Sequence, residues 1–215
     1  MHHISNSASC PWQGPKCGLF RRSFWNTSCG CLFSTIPDEI LLYNIFTYLP
    51  LHTVCVTLSV CTRWRHLSGS SVLWSKVDLS EHAGCLNDVR ANALLQRHGV
   101  HMSTLKLCNA RHLTPSFMSN FAHCAPHLRE LHLCSIPLVM DSSVKAITQV
   151  CTALESLSLN GCTMITDDAI QMVCALPSLR ELSMRQCNLL VCRSVCEFNG
   201  PQSCGLSPYH RCRCV

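Results

Sequence analysis

The chain runs to 215 residues, 47% of them hydrophobic, with 17 Lys+Arg, 12 Asp+Glu and a net charge of +5. That length suits one or two small domains with a real core, and no run of roughly 18 apolar residues is present to cross a membrane as a helix. Residues 36–187 hold 11 basic and 11 acidic residues, so the excess sits in the two ends; a nucleic-acid-binding domain carries its basic patch on the folded part, and none is expected here.

Residues 1–33 show no sustained period and are interrupted by Pro11, Gly14, Pro15 and Gly18, which predicts a flexible N-terminal tail. Its Arg21-Arg22 pair and lack of acids are shared with mitochondrial transit peptides, but the prolines and glycines break the amphipathic helix such a leader needs. The first element is "TIPDEILLYNIFTYLP". Pro37 fits a first helical position, Asp38 and Glu39 suit the positive end of a helix dipole, and Pro50 marks a stop. Between them Leu41, Leu42, Ile45, Phe46 and Leu49 recur at helical spacing. Leu51, Val54, Cys55 and Leu58 form a second stripe, which Cys61, Trp64 and Leu67 continue. Leu73 and Trp74 then precede a strand-like Val77-Asp78-Leu79.

A repeat follows, and repeats outrank other signals. Leu105/Leu107, Leu131/Leu133, Leu157/Leu159 and Leu182/Met184 form L-x-L pairs whose first members lie 26, 26 and 25 residues apart. Val77/Leu79 reads as an imperfect earlier copy. Each pair is a short strand with both apolar residues on its buried face. Apolar helical stretches follow three of the pairs, with Asp141 and Thr166 as helix starters. Such units bury their apolar side only by stacking, which predicts a solenoid with parallel strands inside and helices outside. The repeat stops after Cys187: residues 188–215 offer no further L-x-L and no evident polar cap, so the Leu182/Met184 strand is expected to end the sheet with an open edge.

Nineteen cysteines raise disulfide and metal readings. No two stand three apart, so the C-x-x-C knuckle of zinc sites is missing. The number is odd, and no secretory leader is evident. Cys55, Cys61, Cys108, Cys124, Cys134, Cys151, Cys162, Cys174 and Cys187 lie among periodic apolar positions, where a free thiol acts as a small hydrophobe. A reducing compartment, cytoplasm or nucleus, fits this usage.

"IPDEILLYNIFTYLPL", "VCTRWRHL" and "VLWSKVDL" resemble an F-box, and "CTALESLSLNGCTMITDDAIQMVC" resembles the cysteine-containing leucine-rich repeat. Over about residues 34–187 the chain is similar to F-box/leucine-rich-repeat proteins. The resemblance implies an α/β architecture: a three-helix F-box over 34–80, a short leucine-rich-repeat solenoid over 81–187 and a non-repeat tail over 188–215. It implies that Ile36, Pro37, Ile40, Leu41, Ile45, Leu49 and Trp64 contribute to an adaptor-binding surface or its supporting core, the adaptor being the Skp subunit of cullin–RING ubiquitin ligases. The family pattern has one residue between its "LL" and "IF" pairs; here Tyr43 and Asn44 both stand there. An extra residue turns what precedes it by about 100° unless a local bulge absorbs it. By resemblance Cys162 and Cys187 occupy the position buried against the turn that leaves the strand.

The function implied is non-catalytic: the F-box docks on the adaptor and the repeats hold a protein target for ubiquitin transfer by other subunits. Side chains alternate along a strand, so Lys106, His132, Ser158 and Ser183 face the concave side. Glu130 stands in one flanking column, and Cys108, Cys134, Asn160 and Arg185 in the other. The target-binding candidates are Lys106, Glu130, His132, Ser158, Asn160, Ser183 and Arg185. A second reading is a repeat-based interaction scaffold without the ligase. A third, a thiol enzyme or metal protein built on Cys29, Cys31, Cys192, Cys196, Cys204, His210, Cys212 or Cys214, finds no regular ligand spacing and no acid–base partner. No cofactor, metal, nucleic acid or membrane partner is expected. No phosphate loop or nucleophile elbow is present.

Overall fold

A computed structural model describes residues 35–187 and the backbone of strand Arg211–Arg213. The predicted N-terminal tail and most of the C-terminal tail lie outside these residues. The chain divides into two compact units, Met1–Leu73 and Trp74–Val215.

The first unit is helical: α1 (Asp38–Asn44), a 3-10 turn (Phe46–Tyr48), α2 (Leu51–Thr57) and α3 (Thr62–Ser68), with α4 (Ser71–Trp74) leading out of it. Pro37 stands just before α1, which has Asp38 and Glu39 in its first turn, and Pro50 stands just before α2. The Cys61 sulfur caps α3, accepting the Trp64 N–H at 3.5 Å. Leu41, Phe46 and Leu67 form the core, with Ile36, Leu42, Leu49, Trp64 and Leu73 packed around it. Phe46 meets Trp64 edge to face, centroids 5.3 Å apart, the arrangement the aromatic quadrupole favours. The Thr57 and Ser68 hydroxyls, both buried, bond each other at 2.5 Å, so α2 and α3 are joined without an orphaned polar group.

The second unit is a repeat solenoid, α/β as expected. Strands β1 (Lys76–Asp78), β2 (Thr104–Lys106), β3 (Glu130–His132), β4 (Ser156–Ser158), β5 (Glu181–Ser183) and β6 (Arg211–Arg213) form one parallel sheet in chain order. Helices α5 (Asp88–His98), α6 (Pro115–Cys124), α7 (Asp141–Val150) and α8 (Asp167–Cys174) connect the first five and pack on one another in sequence. The register aligns Val77, Leu105, Leu131, Leu157 and Leu182 in a single row. The core therefore repeats with the sequence: Leu105, Leu107, Ala110 and Leu113; Leu131, Leu133, Ile136 and Val139; Leu157, Leu159, Cys162 and Ile165, all buried.

Two devices hold the repeats in step. Asn109, Ser135, Gly161 and Gln186 stand at equivalent positions with φ of 63°, 57°, 71° and 58°, so β2, β3, β4 and β5 are each left through one left-handed residue, a conformation that favours glycine. The Asp141 carboxylate accepts bonds from the Thr166 N–H at 2.9 Å and the Thr166 hydroxyl at 2.6 Å, and Asp88 holds Thr114 in the same way. Thr166 and Thr114 in turn cap α8 and α6. Asp141, expected as a helix starter, sits inside α7 and ties the next repeat instead; the cap position is Met140.

The expected open edge beyond Leu182/Met184 is corrected. β5 pairs in parallel with β6, Leu182 opposite Cys212, although Arg-Cys-Arg carries no L-x-L signal. Backbone groups make a ladder whatever the side chains, so a strand can be recruited without its family motif.

Candidate functional site

Two surfaces carry the sequence-derived candidates, one on each unit. In the first unit the helix is broken at Ile45, whose φ of −125° and ψ of −61° leave the helical region. Residues five apart on an unbroken helix differ by about 140° in direction, yet Leu41 and Phe46 are both 1% exposed. The break thus absorbs the extra residue at Tyr43-Asn44, through a helix-to-3-10 switch rather than a π-bulge. It also sorts residues that sequence could not separate. Leu41 belongs to the core, and Ile36, Leu49 and Trp64 pack against it. Pro37 is exposed, as are Ile40 (47%) and Ile45 (38%).

Tyr43 and Tyr48 are exposed too, at 53% and 81%, and neither was singled out from sequence. Pro37, Ile40 and Tyr43 follow at three-residue steps, so they share one face of α1. The signal was available, because the extra residue that moves Leu41 inward leaves Tyr43 on the outer side. Arg63 closes the start of this helix, paired with Asp38 at 2.7 Å and bonded to the Ile36 carbonyl. The pair is solvent-exposed and contributes little by itself; its effect is to fix where α1 begins.

In the second unit the register brings Lys106, His132, Ser158 and Ser183 into one row. A hollow of about 300 Å³ opens beside it, lined by His132, Ser156, Leu157, Ser158, Glu181, Leu182 and Ser183. Lys106 pairs with Asp78 at 3.7 Å. Glu130 and Arg185 are exposed, and His132 is half-buried. Ser158 and Asn160 are less available than the strand alternation suggests. Ser158 is 6% exposed. The Asn160 amide donates to Ser158 at 3.1 Å, while its carbonyl oxygen accepts from the Ser183 hydroxyl at 2.9 Å and the Arg185 N–H at 2.7 Å. These two side chains bridge neighbouring rungs, whereas Lys106, His132 and Ser183 are half-buried and Glu130 and Arg185 exposed.

Cys55, Cys61, Cys108, Cys124, Cys134, Cys151, Cys162, Cys174 and Cys187 are free thiols. Cys162 donates to the Leu133 carbonyl at 3.0 Å and Cys187 to the Leu159 carbonyl at 3.2 Å, each reaching back to the preceding repeat. Burial pushes the Cys151 thiol up to about 11 and Cys162 to about 12, so both stay protonated and inert. Cys124 and Cys174, the last residues of α6 and α8, are half-buried. Among the described residues no group of three or more His, Cys, Asp or Glu could hold a metal ion, and no helix is long and apolar enough to cross a membrane. Cys29, Cys31, Cys192, Cys196, Cys204, His210 and Cys214 lie outside the described residues, as does the side chain of Cys212.

Residues 33–80 match the F-box-like family. An F-box-like domain at residues 33–80, followed by a repeat solenoid, and the similarity to F-box/LRR-repeat proteins support an F-box/leucine-rich-repeat family for this chain. Over 138 residues it is 30% identical to F-box/LRR-repeat protein 12 of Homo sapiens, covering 59% of this chain and 39% of that protein. The Mus musculus protein of the same name gives the same figures, and that of Bos taurus is 29% identical over 141 residues, 60% of this chain and 40% of the relative. The chain thus spans about two fifths of the length of these curated relatives.

Proposed function

We propose that the chain is a substrate-recognition subunit of an SCF-type cullin–RING ubiquitin ligase. F-box domains generally bind the Skp adaptor of such complexes, and the observation that carries the reading is the exposed apolar face of α1. Pro37, Ile40 and Tyr43, with Ile45 beyond the break, leave contiguous apolar surface of α1 in water, while Leu41, Phe46 and Leu67 pack inward. Burying it against an apolar adaptor helix recovers about 25 cal/mol for each Å² removed from water. Leu41 and Phe46 hold that face from beneath, with Ile36, Leu49 and Trp64 around them. The repeats would hold a protein target against Lys106, Glu130, His132, Ser183 and Arg185, with Ser158 and Asn160 bracing the row. No residue of this chain performs the transfer chemistry, which belongs to other subunits. The nine free thiols among the described residues support a cytoplasmic or nuclear setting, against which stands the disulfide at Cys85.

The alternative, a repeat scaffold without ligase association, rests on the extra residue before Ile45 and would bind repeat partners while lacking the adaptor. Affinity purification of the full chain from cells, with mass spectrometry of what accompanies it, separates the two. Adaptor and cullin together support the first reading; repeat partners without either support the second.

A further inference from the structure

Cys108 and Cys134 are unlike the other repeat thiols in place and company. They follow the ladder residues Leu107 and Leu133, two positions past the aligned pair Lys106 and His132. The backbone ladder continues on both sides of Cys108: the Leu107 N–H donates to the His132 carbonyl at 2.9 Å and the Asn109 N–H to the Cys134 carbonyl at 2.8 Å. The two cysteines are therefore opposite one another on adjacent parallel strands, on the side-chain face that also presents Lys106 and His132. Neighbouring strands lie about 4.8 Å apart, inside the roughly 4.4–6.8 Å that Cα atoms span across a disulfide. Both side chains are half-exposed, and the Cys108 sulfur lies 4.0 Å from the His132 carbonyl. Cys134 in turn lies 3.2 Å from the Ser158 hydroxyl.

We propose that Cys108 and Cys134 form a redox-active dithiol on the concave strand face, which exchanges with small-molecule disulfides to close a reversible cross-link between adjacent repeats. The two sulfurs have distinct parts. The neighbouring Cys134 thiol, with the Cys134 backbone amide, the Ser80 hydroxyl and the nearby His132, outweighs desolvation and lowers Cys108 to about 5. Cys134, beside that sulfur and partly desolvated, is raised. The pair thus gives up one proton readily and keeps the other.

The Cys108 thiolate attacks one sulfur of the small disulfide. A Cys108–S–S–R bond forms, the original S–S bond breaks and one thiolate leaves. Cys134 then loses its proton to solvent and attacks the Cys108 sulfur, releasing the second thiolate. The two cysteines lose two electrons in total and the small disulfide gains them, becoming two thiols. A half-exposed bridge between two strands is of the labile kind, so excess small thiol reverses it. The buried Cys151 and Cys162, bonded to carbonyls and held protonated, stand outside this chemistry.

The test uses the full chain, purified reduced and exposed to glutathione buffers of increasing oxidation, with peptide mass mapping after rapid acid quench. The expected product is an intramolecular Cys108–Cys134 disulfide that forms before any other described thiol reacts and disappears on adding reduced glutathione. In the parent chain, brief alkylation near pH 6.5 should label Cys108 about tenfold or more faster than Cys162. Cys134→Ser should stop at a Cys108–glutathione mixed disulfide, and phenylarsine oxide, which needs two thiols, should protect the pair in the parent but not in this variant. The proposal is overturned if Cys108 alkylates no faster than Cys162, or if the parent keeps a stable mixed disulfide that Cys134 never resolves. Both of these are read on the parent chain, so poor folding of the variant does not shelter the idea.

Discussion

Leu41 and Ile40 are neighbours in sequence with opposite expected roles, and replacing each by alanine tests the break at Ile45. Leu41 is 1% exposed within the core of Phe46 and Leu67. Leu→Ala at such a site removes the transfer energy of its methyl and methylene groups and leaves a cavity, together about 2–5 kcal/mol. Ile40 is 47% exposed, so Ile40→Ala should change stability by under about 1 kcal/mol. Hydrogen exchange on the full chain reads this locally: amides of α1 and α3 should exchange roughly 30- to 5000-fold faster in Leu41→Ala, and within about fivefold of the parent in Ile40→Ala, since about 1.4 kcal/mol is tenfold. Adaptor binding should fall in both, by unfolding the support in the first and by removing contact area in the second. If Ile40→Ala destabilises α1 as much as Leu41→Ala, the helix continues unbroken through Ile45 and its faces are assigned wrongly.

The repeat devices give further tests. Gly161→Ala places a Cβ 3.1 Å from the Ser135 hydroxyl at φ +71° and should cost at least about 1 kcal/mol, whereas Gln186→Gly should stabilise by up to about 1 kcal/mol; thermal melts of the two variants should shift in opposite directions. Thr166→Val deletes the cap of α8 and one bond to Asp141, costing about 1–2 kcal/mol, seen as faster amide exchange over 167–174. His98, stacked on Trp74 at 3.8 Å and 6% exposed, is lowered to about 4 by burial and then by the charges of Arg97 and His101. Between about pH 6.5 and 4 the unfolded chain binds a proton that the folded one does not, so stability falls as pH falls, by about 3 kcal/mol across that window. His98→Phe keeps the stack and should flatten the slope in denaturant titrations.

The solenoid was legible because burial repeats with a near-constant period. An L-x-L pair must put both leucines on one face, and four copies about 26 residues apart require stacking. What escaped the sequence depends on register or on backbone. Ser135 and Gln186 adopt left-handed φ without being glycine, forced by the same turn that Gly161 makes freely. Asp141 looked like a cap, but its partner Thr166 stands in the next repeat. β6 has no motif because an edge strand needs only backbone groups to pair. In the first unit the stripe of Leu41, Ile45 and Phe46 was visible, but only the break at Ile45 decides which of them face inward. Ser158 and Asn160 are expected on the strand face from alternation alone; their bonds to Cys134, Ser183 and Arg185 become visible only once the rungs are aligned. The pairing of Cys108 with Cys134 follows the same logic, since 26 residues of sequence separate two side chains that the ladder sets side by side.

The central claim, that α1 presents an adaptor-docking face, is tested most directly by titrating the purified full chain with purified Skp adaptor. The parent should bind with saturable 1:1 stoichiometry. The double substitution Ile40→Asp, Ile45→Asp, on exposed positions that leave the core of Leu41, Phe46 and Leu67 intact, should weaken binding by at least about 100-fold, roughly 2.7 kcal/mol, with unchanged amide protection in α3. Undiminished binding by that folded variant, or no binding by the parent, would contradict the account.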